Sequence, residues 1–256
     1  MVKKKRLYQV LRQTGLINTK QDCLKLLNSG RVTIDGRITK NADFQFNPKK
    51  KILAIDGKPI ELKDEKYYFM LNKPPKYLSH RKRSHGKKSL LELFDLPENV
   101  KNVINPVGRL DYESRGLILL TNDGDFAHKI LRPQSHLGKE YEVLINGELT
   151  DELKNKLEEG IEIEIGGDTR KGQEKIRKIK TKPCQIKIIE RNNQTTLFKI
   201  TLTEGKRRQI REMITTINLK VLDLKRIRIG KLKLENLKEG EYKEFTKDDI
   251  LPQSPQ

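Results

Sequence analysis

The sequence has no tryptophan and only two cysteines, Cys23 and Cys184, among its 256 residues. The two lie in separate predicted elements, a helix and the start of a strand, and we interpret both as small buried apolar residues, not as a disulfide. The four histidines have neither partner cysteines nor close spacing, which predicts that there is no metal site. No apolar run is long enough to span a membrane and no signal-peptide core is present, so we expect a cytoplasmic protein.

Acidic residues are scarce relative to basic ones. The chain carries 54 Lys and Arg against 35 Asp and Glu, a net charge of +19. Residues 1–62 alone hold 14 Lys and Arg against 5 Asp and Glu, which is nearly half of the excess. Self-repulsion of this size points to a polyanionic partner, and the phosphates of RNA are the usual one. The first quarter of the chain is therefore the predicted anchor for structured RNA.

This basic quarter is expected to fold as a small module of two helices and a hairpin. Apolar spacing predicts a helix over Arg6–Arg12. Thr19 is expected to cap a second helix, with Asp22 in the capping-box position and with Leu24 and Leu27 on the buried side. An Asp-Gly pair then marks a hairpin turn between two short strands.

The segment VLRQTGLINTKQDCLKLLNSGRVTIDGRIT, residues 10–39, resembles the S4 RNA-binding domain. In that family a helix and the following hairpin hold structured RNA. The resemblance therefore implies an S4-like RNA-binding domain over residues 1–62. From the residues alone, a generic helix–helix–hairpin module with solvated lysines stays open as the alternative.

A charged linker over residues 62–66 precedes a second predicted domain, which spans residues 66–251. Strand patterns outnumber helical ones in this part of the chain and follow one another through short turns. The sequence therefore predicts an α+β domain with a mixed, largely antiparallel sheet. Among its helices we expect Ser89–Phe94, Asp151–Glu159 and Lys206–Ile217.

The most informative segment is residues 107–124, where a Gly-Arg-Leu-Asp turn leads directly into an apolar strand. Such a loop presents the Asp111 carboxylate with little freedom, as a nucleophile or general base requires. The residues alone favour a second interpretation, in which Asp111 accepts hydrogen bonds from nearby backbone N–H groups and closes the turn.

The string GRLDYESRGLILLTNDG, residues 108–124, is very similar to the catalytic motif of the RsuA family of RNA pseudouridine synthases. Residues 66–245 follow that family's order of motifs. The resemblance implies that Asp111 is the catalytic aspartate, which breaks the N-glycosidic bond of a target uridine so that C5 of the rotated base can bond to C1′. It also implies a mixed sheet crossed by a cleft, and a reaction that needs no cofactor and no metal.

The string LNKPPKYLS, residues 71–79, resembles the family's first motif, with Lys73 and Pro74 in the expected positions. Lys-Pro after a buried strand is typical of an extended turn. Structural support by Lys73 is therefore at least as good an interpretation as contact with the substrate.

The string KEYEV, residues 139–143, resembles the segment that supplies the family's active-site tyrosine. The resemblance implies that Tyr141 stacks on the uracil ring and presents its hydroxyl to the base. Without the resemblance, an aromatic residue at the start of a strand is more often part of the core.

The string EGKRRQIREM, residues 204–213, resembles the third motif. The resemblance implies that Arg211 pairs with Asp111, which would keep that carboxylate ionised and correctly oriented. It also implies that Ile210 packs against the target base or Tyr141.

Further basic residues beside these motifs are the predicted RNA contacts. Arg207 and Arg208 are expected to contact phosphates, with a solvated basic helix face as the alternative. Arg109, two residues before Asp111, is also an expected RNA contact. The string LKRIRIG resembles the family's closing motif, and its alternation makes Arg226 either an RNA contact or a charge at the sheet edge. The basic loop over residues 79–88 either grips RNA or stays mobile until RNA binds.

These observations predict an enzyme that isomerises a specific uridine to pseudouridine in ribosomal RNA, with large-subunit RNA favoured. The expected partner is structured RNA, either rRNA or a ribosome-assembly intermediate, and the expected state is a monomer without membrane contact. The alternative is a non-catalytic S4-type RNA-binding or ribosome-assembly factor. The simultaneous presence of Asp111, Tyr141 and Arg211 discriminates between them, because binding alone does not require these three residues.

Overall fold

A computed structural model describes residues 4–17, 19–61, 65–81, 84–135, 137–166 and 176–250. The chain divides into two compact units, Met1–Tyr67 with Phe94–Asn105, and Tyr68–Leu93 with Pro106–Gln256. Of the predicted linker, residues 62–64 lie outside the described residues. Residues 94–105 group with the first unit, whereas the sequence placed them in the second domain.

The first unit combines helices with a small antiparallel sheet. Its elements are β1 (Lys5–Arg6), α1 (Leu7–Gln13), α2 (Lys20–Asn28), β2 (Val32–Ile34), β3 (Arg37–Ile38), β4 (Gln45–Phe46), β5 (Leu53–Ile55), β6 (Lys58–Pro59) and α3 (Glu98–Val103). Thr19 begins α2 with the predicted capping box, because its hydroxyl accepts from the Asp22 N–H at 3.1 Å and the Asp22 carboxylate accepts from the Thr19 N–H at 2.8 Å. Strands β3, β2, β5 and β6 pair in that order, as the predicted hairpin requires.

The buried side of α2 differs in part from the prediction. Leu27 is buried as expected, but Leu24 is 40% exposed, so its prediction was wrong. Cys23 takes the core position instead, because it lies four residues before Leu27 on the same helical face.

In the second unit, burial raises the pKa of Cys184 to about 12, so that thiol stays protonated and unreactive.

The second unit is built around one large sheet. Its elements, with β8 at the boundary between the units, are β7 (Tyr68–Lys73), β8 (Asn105–Val107), β9 (Arg115–Thr121), α4 (Gly124–Leu131), β10 (Lys139–Asn146), α5 (Asp151–Glu158), β11 (Glu162–Ile165), β12 (Arg177–Lys180), β13 (Gln185–Arg191), β14 (Thr195–Leu202), α6 (Gln209–Thr216), β15 (Val221–Ile229), β16 (Leu232–Lys233) and β17 (Tyr242–Glu244).

Within the described residues, nine strands form this sheet. Seven of them follow the order β13-β14-β10-β15-β9-β7-β17, while β16 pairs with β15 and β8 pairs with β9. The β15–β9 pair is parallel, and the pairs on either side of it, β10–β15 and β7–β9, are antiparallel. The predicted α+β fold with a mixed, largely antiparallel sheet is therefore confirmed.

Two apolar clusters cover the sheet. Helices α5 and α6 pack on β10, β14 and β15 through residues such as Leu157, Met213 and Phe198. Helix α4 packs on β7 and β9 through Phe126 and Ile130. The central strands β9 and β15 are thus covered by apolar side chains, and residues at their ends can be held rigidly. Among the described residues, no helix combines the length and apolar character needed to cross a membrane.

Two predicted helices have different bounds. Helix α6 begins at Gln209 and not at Lys206, because Arg208 has a left-handed backbone conformation with φ +53° and interrupts the helical run. The segment Ser89–Phe94 forms only a short 3-10 helix, at Leu90–Leu93.

Candidate active site

Asp111 lies in a short loop between β8 and β9, which we call the Asp111 loop (residues 108–114). The loop turns through Gly108, whose φ of +80° favours glycine. Its turn is closed by the backbone, because the Ser114 N–H donates to the Asp111 carbonyl oxygen at 3.1 Å. Asp111 is half-buried, and among the described residues its carboxylate has no hydrogen bond or ion pair. The carboxylate is therefore available to a ligand and does not close the turn.

The first motif holds the Asp111 loop at three points. Lys73 Nζ donates to the Ser114 carbonyl oxygen at 2.7 Å, and the Lys76 N–H donates to the Tyr112 carbonyl oxygen at 2.7 Å. The Ser79 hydroxyl both donates to the Leu110 carbonyl oxygen at 2.7 Å and accepts from the Leu110 N–H at 3.0 Å. Since these bonds fix the backbone on both sides of Asp111, they restrict where its carboxylate can point.

Lys73 belongs to this support and does not reach the surface. Its side chain is completely buried, and Nζ also donates to the Pro74 carbonyl oxygen at 2.8 Å. Burial lowers the pKa of Lys73 to about 8, although the nearby carboxylates of Asp111 and Glu113 act in the opposite direction. Of the two interpretations left open for Lys73, the structure agrees with structural support.

Ser79 is a functional residue that sequence reasoning missed. It is 6% exposed, and its hydroxyl forms both side-chain bonds to Leu110. Its position at the end of the first motif was the only available signal, and by composition it belongs with the basic loop over residues 79–88. Of that loop, residues 82 and 83 lie outside the described residues. The loop's grip on RNA stays a prediction.

Tyr141 lies on β10, directly between β14 and β15. It pairs with Ile200 on one side and Arg226 on the other, where the β10–β15 register shifts at Glu140/Tyr141. Its ring is half-buried and lines the same cleft as Asp111. The guanidinium carbon of Arg226 lies 6.0 Å from the ring centroid, within the range of a cation–π contact.

Helix α6 contributes Ile210 and Arg211. Ile210 is 5% exposed, packs with the core and lines the cleft. Arg211 reaches across to the Asp111 loop, where Nη2 lies 3.5 Å from the Ser114 hydroxyl, while Nη1 lies 3.5 Å from the Val221 carbonyl oxygen. Among the described residues it makes no ion pair with Asp111, so the expected pair is absent in this state.

Arg211 nevertheless shares the electrostatic environment of Asp111. Burial lowers the pKa of Arg211, as does the neighbouring Arg208, and the carboxylates of Asp111, Glu113 and Asp223 oppose that shift. Its Nε is buried without a hydrogen-bond partner among the described residues. A guanidinium with an unused donor this close to Asp111 can turn toward a carboxylate or a bound anion without losing a strong contact.

The side chains meet at an open cleft of about 250 Å³ in the second unit. Six of the nine predicted site residues line it: Arg109, Asp111, Tyr141, Arg207, Arg208 and Ile210. Leu110, Ser114, Leu202, Gly205, Lys206, Gln209 and Leu224 complete the lining. Arg109, Arg207 and Arg208 are exposed, so the rim of the cleft is cationic while its floor carries an acid, an aromatic ring and an aliphatic side chain.

The structure corrects the expectation for Arg226. Its side chain is only 4% exposed and its Nε donates to the Leu117 carbonyl oxygen at 2.6 Å. It is therefore neither a surface RNA contact nor a charge at the sheet edge, because β15 is a central strand. The neighbouring Arg228 is half-buried and forms an ion pair with Glu140 at 3.0 Å.

No group of three or more His, Cys, Asp and Glu side chains that could hold a metal ion occurs in the part of the chain that the structure describes.

A cleft beside a mixed sheet, with a loop-borne aspartate and a cationic rim, is the arrangement expected of an enzyme that acts on nucleic acid. Residues 67–216 match the family described as RNA pseudouridylate synthase. This match covers more than half of the chain, so the chain belongs to the RNA pseudouridylate synthase family and is an RNA pseudouridine synthase.

Individual relatives align with this chain over most or nearly all of its length. An RNA pseudouridine synthase of Aquifex aeolicus is 34% identical, with 96% of this chain and 92% of the relative covered. The ribosomal large subunit pseudouridine synthase B of Bacillus subtilis is 31% identical, with 96% and 93% covered. The ribosomal small subunit pseudouridine synthase A of Salmonella typhimurium is 32% identical, with 88% and 89% covered. A crystal structure of a pseudouridylate synthase superposes with a TM-score of 0.63 at 27% identity and covers 96% of this chain and 97% of its own.

Proposed function

We propose that this enzyme converts one specific uridine of ribosomal RNA to pseudouridine, with Asp111 as the catalytic group. In this isomerisation the bond between N1 and C1′ breaks, the uracil turns, and a bond forms between C5 and C1′. The proton on C5 is lost and N1 gains one, so the product has the composition of the substrate. No external oxidant, reductant or second substrate is required.

The observation that carries this proposal is the position of Asp111. Its half-buried carboxylate has no partner among the described residues, yet the loop around it is held by Lys73, Lys76 and Ser79. A group that acts on the sugar must be placed accurately and must not be engaged elsewhere, and both conditions are met. Tyr141 and Ile210 line the same cleft and would receive a base flipped out of its stack.

Arg211 is the third proposed catalytic residue. Its Nη2 lies 3.5 Å from the hydroxyl of Ser114 in the Asp111 loop, and its Nε is available. When RNA excludes water from the cleft, the attraction between a guanidinium and a carboxylate increases because the local dielectric falls. We propose that Arg211 then pairs with Asp111 and orients its carboxylate. Arg109, Arg207 and Arg208 on the rim would contact phosphates.

Ribosomal RNA is the proposed substrate because the named relatives act on large- or small-subunit RNA. We favour the large subunit, since the Bacillus subtilis large-subunit relative aligns over 96% of this chain and the Salmonella small-subunit relative over 88%. Action on ribosomal RNA would place the protein where that RNA is made and assembled, so the cytoplasm is its proposed location. A monomer is the proposed state.

The first unit is the proposed RNA anchor, with an S4-like domain over residues 1–62. The support is its order of two helices and a hairpin, together with exposed cations on α2 and the hairpin, namely Lys20, Lys25, Arg37 and Lys40. Cations that neutralise phosphates release counterions, which would contribute affinity before the base is flipped.

Tritium release from RNA labelled at uridine C5 tests the catalytic assignment. Asp111→Asn should release no tritium but should still bind RNA and unfold within about 0.5 kcal/mol of the wild type, because the carboxylate has no hydrogen bond or ion pair with any described residue. Asp125→Asn, at an exposed position in the same unit, is the matched control and should keep full activity. Release by Asp111→Asn at the wild-type rate would refute the assignment, and a wild type that binds RNA but releases nothing would favour a non-catalytic ribosome-assembly factor.

A further inference from the structure

A carboxylate and an amide form a compact network beside the cleft. Gln209 is 3% exposed, and its Nε2 donates to Glu204 Oε1 at 2.7 Å. Glu204 Oε1 also accepts from the Lys182 N–H at 2.9 Å, and Gln209 Oε1 accepts from the Lys206 N–H at 3.0 Å. The two side chains therefore bridge the residues on both sides of a short loop.

The bridged segment, residues 205–208, forms one edge of the cleft and carries two exposed arginines, Arg207 and Arg208. Arg208 has φ +53°, a conformation that a residue with a side chain adopts only when its surroundings impose it. Its side chain lies 3.5 Å from Glu212 in the next turn of α6. The Glu204–Gln209 network can supply such a restraint, because it ties the start of the segment to the first residue of the helix.

We propose that Glu204 and Gln209 are positioning residues that hold segment 205–208 in the conformation that contacts the RNA backbone. This inference rests on the proposed function, because it takes the cleft to be the RNA site. A preformed segment binds more tightly than one that must be ordered when RNA arrives. The network should therefore act on the affinity for RNA and on KM, and should leave kcat nearly unchanged.

An exchange of the two side-chain types tests the network. Gln209→Glu replaces the hydrogen bond between Gln209 and Glu204 with two facing carboxylates, which repel each other. Segment 205–208 should therefore lose its attachment to Glu204. The double variant Glu204→Gln/Gln209→Glu should restore the network. The new amide at position 204 would accept from the Lys182 N–H and donate to the new carboxylate at position 209, which would accept from the Lys206 N–H. Gln194→Glu is the matched control, because it adds the same charge at an exposed position at the opposite end of β14.

Affinity is measured on Asp111→Asn versions, with rRNA from a strain that lacks the protein as the probe. Gln209→Glu should weaken binding about tenfold, the size expected when a charge-assisted hydrogen bond becomes a repulsion. It should also lower the slope of log affinity against log salt by about one, as the loss of one phosphate contact requires. The double variant and Gln194→Glu should stay within about threefold of the parent.

In the active enzyme, Gln209→Glu should raise KM about tenfold and leave kcat within about threefold of the wild type, whereas the double variant and Gln194→Glu should keep both constants within about threefold. Unchanged affinity in a folded Gln209→Glu variant would overturn the proposal, as would a double variant as weak as the single one or an equal loss in Gln194→Glu. Failure of the proposed function would look different, because the wild type itself would then release no tritium.

Discussion

Replacing Lys73 with methionine tests whether the Lys73 ammonium group holds the Asp111 loop in place. The effect on activity can be measured separately from the effect on the stability of the fold. Methionine keeps most of the side-chain volume but removes the ammonium group. The carbonyl oxygens of Ser114 and Pro74 would lose donors at 2.7 and 2.8 Å. Because Lys73 is completely buried, water cannot take over these bonds without opening the core.

At pH 7 two effects of this change nearly cancel in the free energy of unfolding. Leaving two buried carbonyl oxygens unpaired costs about 4 kcal/mol, at about 2 each. The pKa of Lys73 is lowered from 10.5 to about 8, so the charged form destabilises the fold by about 3 kcal/mol relative to the neutral amine. Methionine carries no such penalty, so the net destabilisation at pH 7 should be about 1 kcal/mol.

The pH dependence has a definite sign. Between pH 8 and 10.5 the unfolded chain binds more protons at Lys73 than the folded chain does, so this residue makes the folded state more stable as the pH rises. By pH 9.5 the gain is about 2 kcal/mol, which Lys73→Met lacks. The destabilisation caused by the substitution should therefore grow from about 1 to about 3 kcal/mol.

Urea unfolding at pH 7 and pH 9.5 measures this difference, and tritium release at pH 7 measures the activity. We expect kcat to fall about 10- to 100-fold, because displacement of a reacting group by about 1 Å has an effect of that order. Lys129→Met, at an exposed position on α4, is the control for removing a lysine and should change neither quantity.

Two results would refute the reasoning about Lys73. A kcat within twofold of the wild type would show that the bond to Ser114 does not position Asp111. A destabilisation that shrinks between pH 7 and 9.5 would show that the buried amine is not titrating as the lowered pKa requires.

Two further predictions concern the strands around the cleft. Gly116→Ala should destabilise the fold by more than about 3 kcal/mol in urea unfolding, because Gly116 has φ +103° and an added Cβ would lie 2.2 Å from the Arg226 carbonyl oxygen. Gly124→Ala is the control and should not destabilise the fold to this extent, because no atom lies within 4 Å of its added Cβ. Equal effects of the two substitutions would contradict the close approach of β9 and β15. Tyr141→Phe should unfold within about 0.5 kcal/mol of the wild type, and its kcat should fall about tenfold because the hydroxyl that contacts the base is removed. A kcat equal to that of the wild type would show that Tyr141 only stacks on the base.

The motifs indicated residues that line the cleft, and the roles of those residues stay predictions. Asp111, Tyr141 and Ile210 come from three segments, each matched to a different motif of one family, and all three line the same cleft. The geometry within the cleft was predicted less well. Arg211 was expected to pair with Asp111, but its Nη2 lies 3.5 Å from the Ser114 hydroxyl instead. A sequence motif does not predict which of two neighbouring groups a long side chain contacts.

Burial of the basic residues shows where periodicity alone misleads. In β15 the alternation of Arg226 and Arg228 with apolar residues suggested one solvated face. Arg226 is nevertheless buried, and its guanidinium donates to the β9 carbonyl of Leu117 and lies 6.0 Å from the centroid of the Tyr141 ring. An alternating pattern predicts a strand, but it does not reveal whether a second layer covers its polar side.

Local chemistry was enough to predict the capping box at Thr19 and the hairpin turn that follows α2. Each of these depends on residues a few positions apart, whose preferences act before the chain is compact. Folding was needed to bring Ser79 to Leu110 and to bury Lys73 beneath Ser114. Those hydrogen bonds join residues more than 30 positions apart, and only the pairing of distant strands determines which polar groups meet where water is excluded.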